Sequence, residues 1–139
     1  MNPRPPKKAT AAVGTHKLRI IGGRWRSRTL VFPAVDGLRP TGDRIRETLF
    51  NWLMPELPGS RCLDLFAGSG ILGFEALSRG ASHCTMVELN SIALRQLESN
   101  ARVLGAGDAR IVAGNALEYL QRGAVEVFDL VFIDPPFAA

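Results

Sequence analysis

Residues 62–73, CLDLFAGSGILG, constrain the fold more than any other stretch of the chain. An apolar, β-prone run passes through a glycine-rich turn straight into an apolar helix-forming run. Glycine at such a strand-to-helix turn lets the backbone adopt conformations closed to other residues and lets a ligand approach closely. Downstream, the same alternation repeats. The pattern predicts strands over 62–66, 84–88, 109–112 and 128–133, and helices over 71–79, 91–104 and 116–121, the helices closed by Gly80, Gly105 and Gly123. Repeated β-α-β units with short connections predict an α/β fold with a doubly wound, mostly parallel sheet of Rossmann type.

Upstream, residues 17–33 read as a β-hairpin, with β-prone runs 18–21 and 29–32 around Gly22-Gly23 and a basic segment. A helix over 43–54 follows, with Ile45, Leu49, Trp52 and Leu53 at helical spacing and Pro55 as its stop, and this helix is expected to pack on the core. Residues 1–16 lack apolar periodicity, which predicts poor order. The expected organisation is therefore a basic tail (1–16), a hairpin (17–35) and one α/β domain (36–139). A chain of 139 residues suits a single domain.

The net charge of +4 is unevenly placed: residues 1–35 hold eight Lys/Arg and no acid, whereas the rest holds nine basic and thirteen acidic residues. A basic arm of this kind is what binding of a phosphate backbone by counterion release requires, although a solvated tail is the alternative for residues 1–16. At the hairpin tip, Arg24-Trp25-Arg26 interleaves cations with an aromatic ring. That arrangement suits stacking on nucleic acid, or Trp25 packs back onto the domain. No apolar run reaches the roughly 18–20 residues that span a bilayer and no signal-peptide core is present, so a cytoplasmic protein is expected. Cys62 and Cys84 have no metal-ligand spacing, and no metal is expected. His16 and His83 stand apart from any hydrolytic pattern.

Gly68-x-Gly70-x-x-Gly73 satisfies the dinucleotide fingerprint, with Glu88 about twenty residues on to take ribose hydroxyls. Asp64, however, sits where a dinucleotide enzyme approaches its pyrophosphate. A carboxylate there repels phosphate and welcomes the ammonium of a methionine moiety, which favours S-adenosylmethionine over NAD. A P-loop reading fails because no Gly-Lys-Ser/Thr follows the glycines. Glu88 is alternatively a surface acid capping the helix that begins near Ser91. Asn115 and the backbone of Ala116 are placed to read an adenine edge, or Asn115 is a plain N-cap, or both.

Asp134-Pro135-Pro136-Phe137 follows the last apolar strand directly. Two prolines fix the backbone and remove N–H donors, so the loop offers the Asp134 carboxylate and the Pro135 carbonyl as acceptors beside the stacking face of Phe137. Acceptors alone suit an amine. Holding both N–H groups of an exocyclic base amine draws its nitrogen toward tetrahedral geometry and aims the lone pair at a methyl donor.

Through RIIGGRWR, LRPTGDRIRETLFNWL, DLFAGSGILGFEALSRGA, VELN, GNALEYL and FIDPPF, residues 18–137 resemble the bacterial RsmD family, which methylates the N2 amine of a guanine in small-subunit ribosomal RNA. The resemblance implies a methyltransferase whose S-adenosylmethionine is lined by Asp64, Gly68, Gly70, Glu88, Asn115 and Ala116, with Phe66 and Leu89 on the same surface. It implies a flipped guanine held by Asp134, Pro135 and Phe137. The hairpin region would contact RNA, with Arg19, Arg24, Trp25, Arg26, Arg28 and Arg39 as the contacts and an assembling small subunit as the partner. The Asp-Pro-Pro-Phe loop alone is shared with adenine N6-methyltransferases of DNA and RNA. The other rivals are a nicotinamide-dependent oxidoreductase and a non-catalytic RNA-binding module. The family continues past this loop with a helix and further strands, so strand 128–133 is expected to form an exposed apolar edge here, which predicts self-association or marginal stability.

Overall fold

The computed structural model describes residues 15–34, 41–122 and 126–136. Arg39, Phe137, Gly123 and most of the basic tail lie outside them. Strands β1 (Thr15–Arg19) and β2 (Thr29–Pro33) form an antiparallel hairpin, Leu18 facing Leu30 in its register. The remaining strands are β3 (Arg61–Asp64), β4 (His83–Glu88), β5 (Ala109–Ala113) and β6 (Leu130–Phe132). They make one parallel sheet in the order β5-β4-β3-β6. Helices α1 (Asp43–Leu53), α2 (Ile71–Ser78), α3 (Ser91–Leu104) and α4 (Ala116–Gln121) complete the α/β architecture that the alternating pattern predicts. From β3 the chain winds outward to β4 and β5, then returns to place β6 on the other side of β3. The strand order reverses at β3, and such switch points open a crevice beyond the strands' carboxyl ends.

All eight residues of α2 are buried. Two glycines permit this close fit. Gly70, at φ +85°, occupies a left-handed conformation that other residues enter at a cost, and a Cβ there would meet Leu97 Cδ1 at 2.4 Å. A Cβ on Gly73 would meet Met86 Cε at 2.6 Å, so its absence lets α2 lie close against β4. Cys62, Phe74, Leu77, Cys84, Met86 and Leu97 are at the centre of the core, each at most 1% exposed. The two cysteines are buried and unpaired, and burial pushes both thiols up in pKa.

Helix α1 corrects the expected packing. Ile45 and Trp52 are 65% and 75% exposed, and the helix buries Arg46 and Phe50 instead. Phe50 packs against Phe132 of β6, with ring centroids 5.8 Å apart. Leu49 and Leu53 pack on the core as expected, but hydrophobicity alone misplaced the centre of the buried face, because the position that selects it is a charge. Arg46 is held between the Glu75 carboxylate (3.2 Å), the carbonyls of Thr41 (3.0 Å) and Arg19 (2.9 Å), and the Asp43 carboxylate. The α-helix ends at Leu53, as expected ahead of Pro55, which sits in a following 3-10 turn, Met54–Glu56.

Glu75 binds the hairpin to the domain. Its carboxylate accepts from the backbone N–H of Ile21 (3.0 Å) and Gly22 (2.9 Å), from Arg46, and from Arg79 Nε (2.8 Å). Ser78 adds to the joint: its Oγ donates to the Gly22 carbonyl (2.6 Å) and accepts from Trp25 N–H (2.9 Å). The first strand consequently ends earlier than expected, and Ile20 turns inward, fully buried. At the opposite edge, β6 pairs with β3, and Val131 and Ile133 are 47% and 67% exposed.

Candidate active site

A cleft of about 1140 Å³ opens at the carboxyl ends of β3, β4 and β6, where the switch point places it. Phe66, Gly68, Glu88, Leu89, Asn115, Ala116, Asp134 and Pro135 all line it, which brings together most of the residues expected from sequence. Gly70 does not. It lies behind the wall, where its left-handed conformation and its packing on Leu97 and Phe74 set the start of α2.

The turn after β3 is held from below by two carboxylates. Glu88, 8% exposed, accepts from Gly68 N–H (2.7 Å) through Oε1 and from Asn90 N–H (2.9 Å) through Oε2. It is not the cap of α3; Asn90 is, accepting from the N–H groups of Ile92 and Ala93. Glu88 thus shapes the glycine turn and keeps lone pairs available at the cleft. Asp64, 1% exposed, accepts from Phe66 N–H (3.2 Å) through Oδ1, while its Oδ2 has no partner. Burial pushes the Asp64 carboxyl up to about 7; the Phe66 hydrogen bond opposes this, and the charges of Asp134 and Glu88 add to it.

A buried carboxyl whose pKa is raised, with the charges of Asp134 and Glu88 nearby, forms a place where positive charge is favoured and phosphate is not. The orphaned oxygen of Asp64 marks the same spot: a buried acceptor without a donor costs about 1–3 kcal/mol. These residues fit a cationic cofactor such as S-adenosylmethionine and do not fit a pyrophosphate. Asn115 caps α4, its Oδ1 accepting from Leu117 N–H (2.8 Å) and Glu118 N–H (3.1 Å). Its side-chain NH₂ makes no hydrogen bond among the described residues, so the capping and ligand-reading roles are compatible. Among the described residues no group of three His, Cys, Asp or Glu is arranged to hold a metal, and no helix is long and apolar enough to cross a membrane.

On the facing rim, Asp134 and Pro135 are exposed to the cleft. Asp134 Oδ2 accepts a hydrogen bond from Thr41 Oγ1 (2.9 Å), just before α1. Thr41, Ile45 and Leu49 supply a wall of the cleft that sequence reasoning assigned to no site. No local pattern marks Thr41; its partner lies ninety-three positions away.

The hairpin cations divide. Arg24 and Arg26 are exposed at the tip, Arg28 is exposed with Nη2 on the Val103 carbonyl (3.1 Å), and Arg19 pairs with Asp43 at 3.5 Å. Trp25 takes the second of its two expected places: it is 7% exposed, edge-on to Phe74, with Arg24 lying over its ring at 4.3 Å. A ring covered in this way offers no free face for base stacking, so Trp25 is a core residue and not an RNA contact.

The fold has close counterparts. A solved Escherichia coli structure, named as a candidate methyltransferase, superposes with a TM-score of 0.78 at 51% identity, covering 88% of this chain and 66% of that one. Ribosomal RNA small subunit methyltransferase D of Escherichia coli K12 is 52% identical over 125 residues, which are 89% of this chain and 62% of that protein. The protein of the same name from Haemophilus influenzae is 47% identical over 134 residues, 94% of this chain and 69% of that protein. The chain thus spans a little under two thirds of the length of its Escherichia coli relative. The family described as Conserved hypothetical protein 95 matches residues 18–139, nearly everything from the hairpin onward, and the chain belongs to that family, the RsmD family whose motifs it carries.

Proposed function

We propose that the chain binds S-adenosylmethionine and directs its methyl to the N2 amine of a guanine in small-subunit ribosomal RNA. The observation that carries this reading is one cleft lined by Glu88, with the buried, partly unsatisfied Asp64 carboxylate behind that lining, and with the acceptors of Asp134 and Pro135 at its rim. The acidic side suits a cationic cofactor and the rim suits an amine. When bound, S-adenosylmethionine supplies an electrophilic methyl that the amine nitrogen takes directly. Asp134 and the Pro135 carbonyl hold the amine's N–H groups, and Asp134 is placed to accept the proton released. Glu88 holds the glycine turn against the cofactor side, and the apolar wall of Ile45, Leu49 and Leu72 excludes water. The names of the relatives support ribosomal RNA as substrate. The exposed cations Arg24 and Arg26 suit its phosphates.

The test is incubation with labelled S-adenosylmethionine and partly assembled small subunits, followed by nucleoside analysis. Label is expected on guanine N2. Asp134→Ala is expected to lower turnover by about 10²–10³-fold, the usual cost of losing one preorganised transition-state contact, while leaving S-adenosylhomocysteine affinity within a few fold. Label only on adenine, or only on DNA, sinks the substrate assignment.

A further inference from the structure

A carboxylate rim alone does not distinguish guanine from adenine, since both bases carry an exocyclic amine. The neighbour of Asp134 does. Thr41 Oγ1 donates its single proton to Asp134 Oδ2 at 2.9 Å, and both residues line the same cleft. A hydroxyl whose proton is committed to a carboxylate has only lone pairs left for a ligand. The cleft therefore presents two adjacent acceptors and no donor at this point. Guanine offers two adjacent donors, N1–H and the N2 amine. Adenine and 2-aminopurine each set a lone pair at N1 beside their amine, which would face the Thr41 lone pair unpaired.

Thr41 is also anchored well enough to discriminate. Its carbonyl accepts from Nε of Arg46 (3.0 Å), and that fully buried guanidinium is fixed in turn by Glu75 (3.2 Å). An acceptor tied to the core cannot swing aside to tolerate a mismatched edge. We infer that Thr41 is a specificity-determining residue that accepts the N1–H of guanine while Asp134 holds the N2 amine. This rests on the methyltransferase reading above.

The experiment uses small-subunit particles reconstituted with guanine, 2-aminopurine or adenine at the methylated position. The protein and its Thr41→Val and Thr41→Ser variants are compared by kcat/KM on each. The unaltered protein is expected to prefer guanine to 2-aminopurine by roughly ten- to hundredfold, since a site built to pair an N–H discriminates strongly against a base that lacks it. Thr41→Val, which keeps the shape and loses the hydroxyl, is expected to bring that ratio within about threefold of unity, and Thr41→Ser to preserve it.

A Thr41→Val protein that is slower on both bases with an unchanged ratio makes Thr41 a prop only and overturns the inference. Equal use of guanine and 2-aminopurine by the unaltered protein overturns it without any variant, so poor folding of Thr41→Val cannot shield it. Absence of methyl transfer to guanine by the unaltered protein removes the parent reading as well.

Discussion

Two buried carboxylates lie on neighbouring elements and have opposite surroundings. Glu75, fully buried in α2, is surrounded by donors: two backbone N–H groups of the hairpin and the guanidinium groups of Arg46 and Arg79. Asp64, 1% exposed at the end of β3, has one backbone donor, one unpartnered oxygen and two further carboxylates for company. The first arrangement is complete without a ligand. The second is complete only when something cationic arrives. A buried acid with every lone pair matched is holding the fold together, whereas one left short marks where the fold expects a visitor.

Glu75→Gln gives the largest expected effect on stability. It removes the charge from between two guanidinium groups, Arg46 being fully buried, and should destabilise the fold by about 3–5 kcal/mol, read as a lower midpoint in urea unfolding. An unchanged midpoint would mean that the joint is ornamental and would erase the contrast. Gly23→Ala attacks the same joint from the backbone side. Gly23 has φ +82°, and a Cβ there would lie 1.9 Å from the Ser78 carbonyl oxygen. The loss should be on the order of 3 kcal/mol, from strain plus the displaced hairpin turn.

The Asp64→Asn variant should move stability in the opposite direction. The folded carboxyl keeps its proton to about pH 7 against an ordinary value of 3.8. The folded state therefore binds more protons than the unfolded one across that interval, and the unliganded protein loses stability as pH rises through it. At pH 8 the amide should be more stable than the acid by on the order of 2 kcal/mol, less than the full shift because the amide leaves a buried donor unpaired, and the advantage should vanish near pH 4. In calorimetry the same substitution should weaken S-adenosylmethionine binding and flatten its rise between pH 6 and 8. Greater stability together with undiminished affinity would dissociate the unpartnered oxygen from the ligand. Arg26→Ala should change stability least. The exposed guanidinium should cost nothing measurable on unfolding, but the salt dependence of RNA binding should fall by about one unit of log–log slope; an unchanged slope removes Arg26 from the interface.

The same contrast explains what could be read in the chain beforehand. The parallel sheet, the bounds of α3 and α4, and the cofactor wall follow from local pattern: strand, glycine turn, helix, with Glu88 at the next strand's end. Each of those residues sits where its own segment puts it. The misjudged features depend on partners far along the chain. Ile45 and Trp52 looked like the inward face of α1 because burial of Arg46 requires Glu75, twenty-nine positions on. Trp25 looked available to a base because its covering by Phe74 is tertiary. Thr41 lies within a family-like segment but was given no role, since a hydroxyl gains meaning only from the carboxylate across the cleft. Periodicity reports surfaces, and it is blind to which polar groups meet.

The bolted hairpin has one more consequence. With Gly22, Arg24 and Trp25 tied to α2, the tip arginines stand at a set span from the rim that holds Asp134. If the tip arginines grip an RNA backbone and the cleft reads a base, as proposed, the two are mounted on one frame and act as a calliper. Such a device would select a nucleotide by its offset from a grasped backbone as much as by its chemistry, and the same base one step away on the strand would fall outside its jaws.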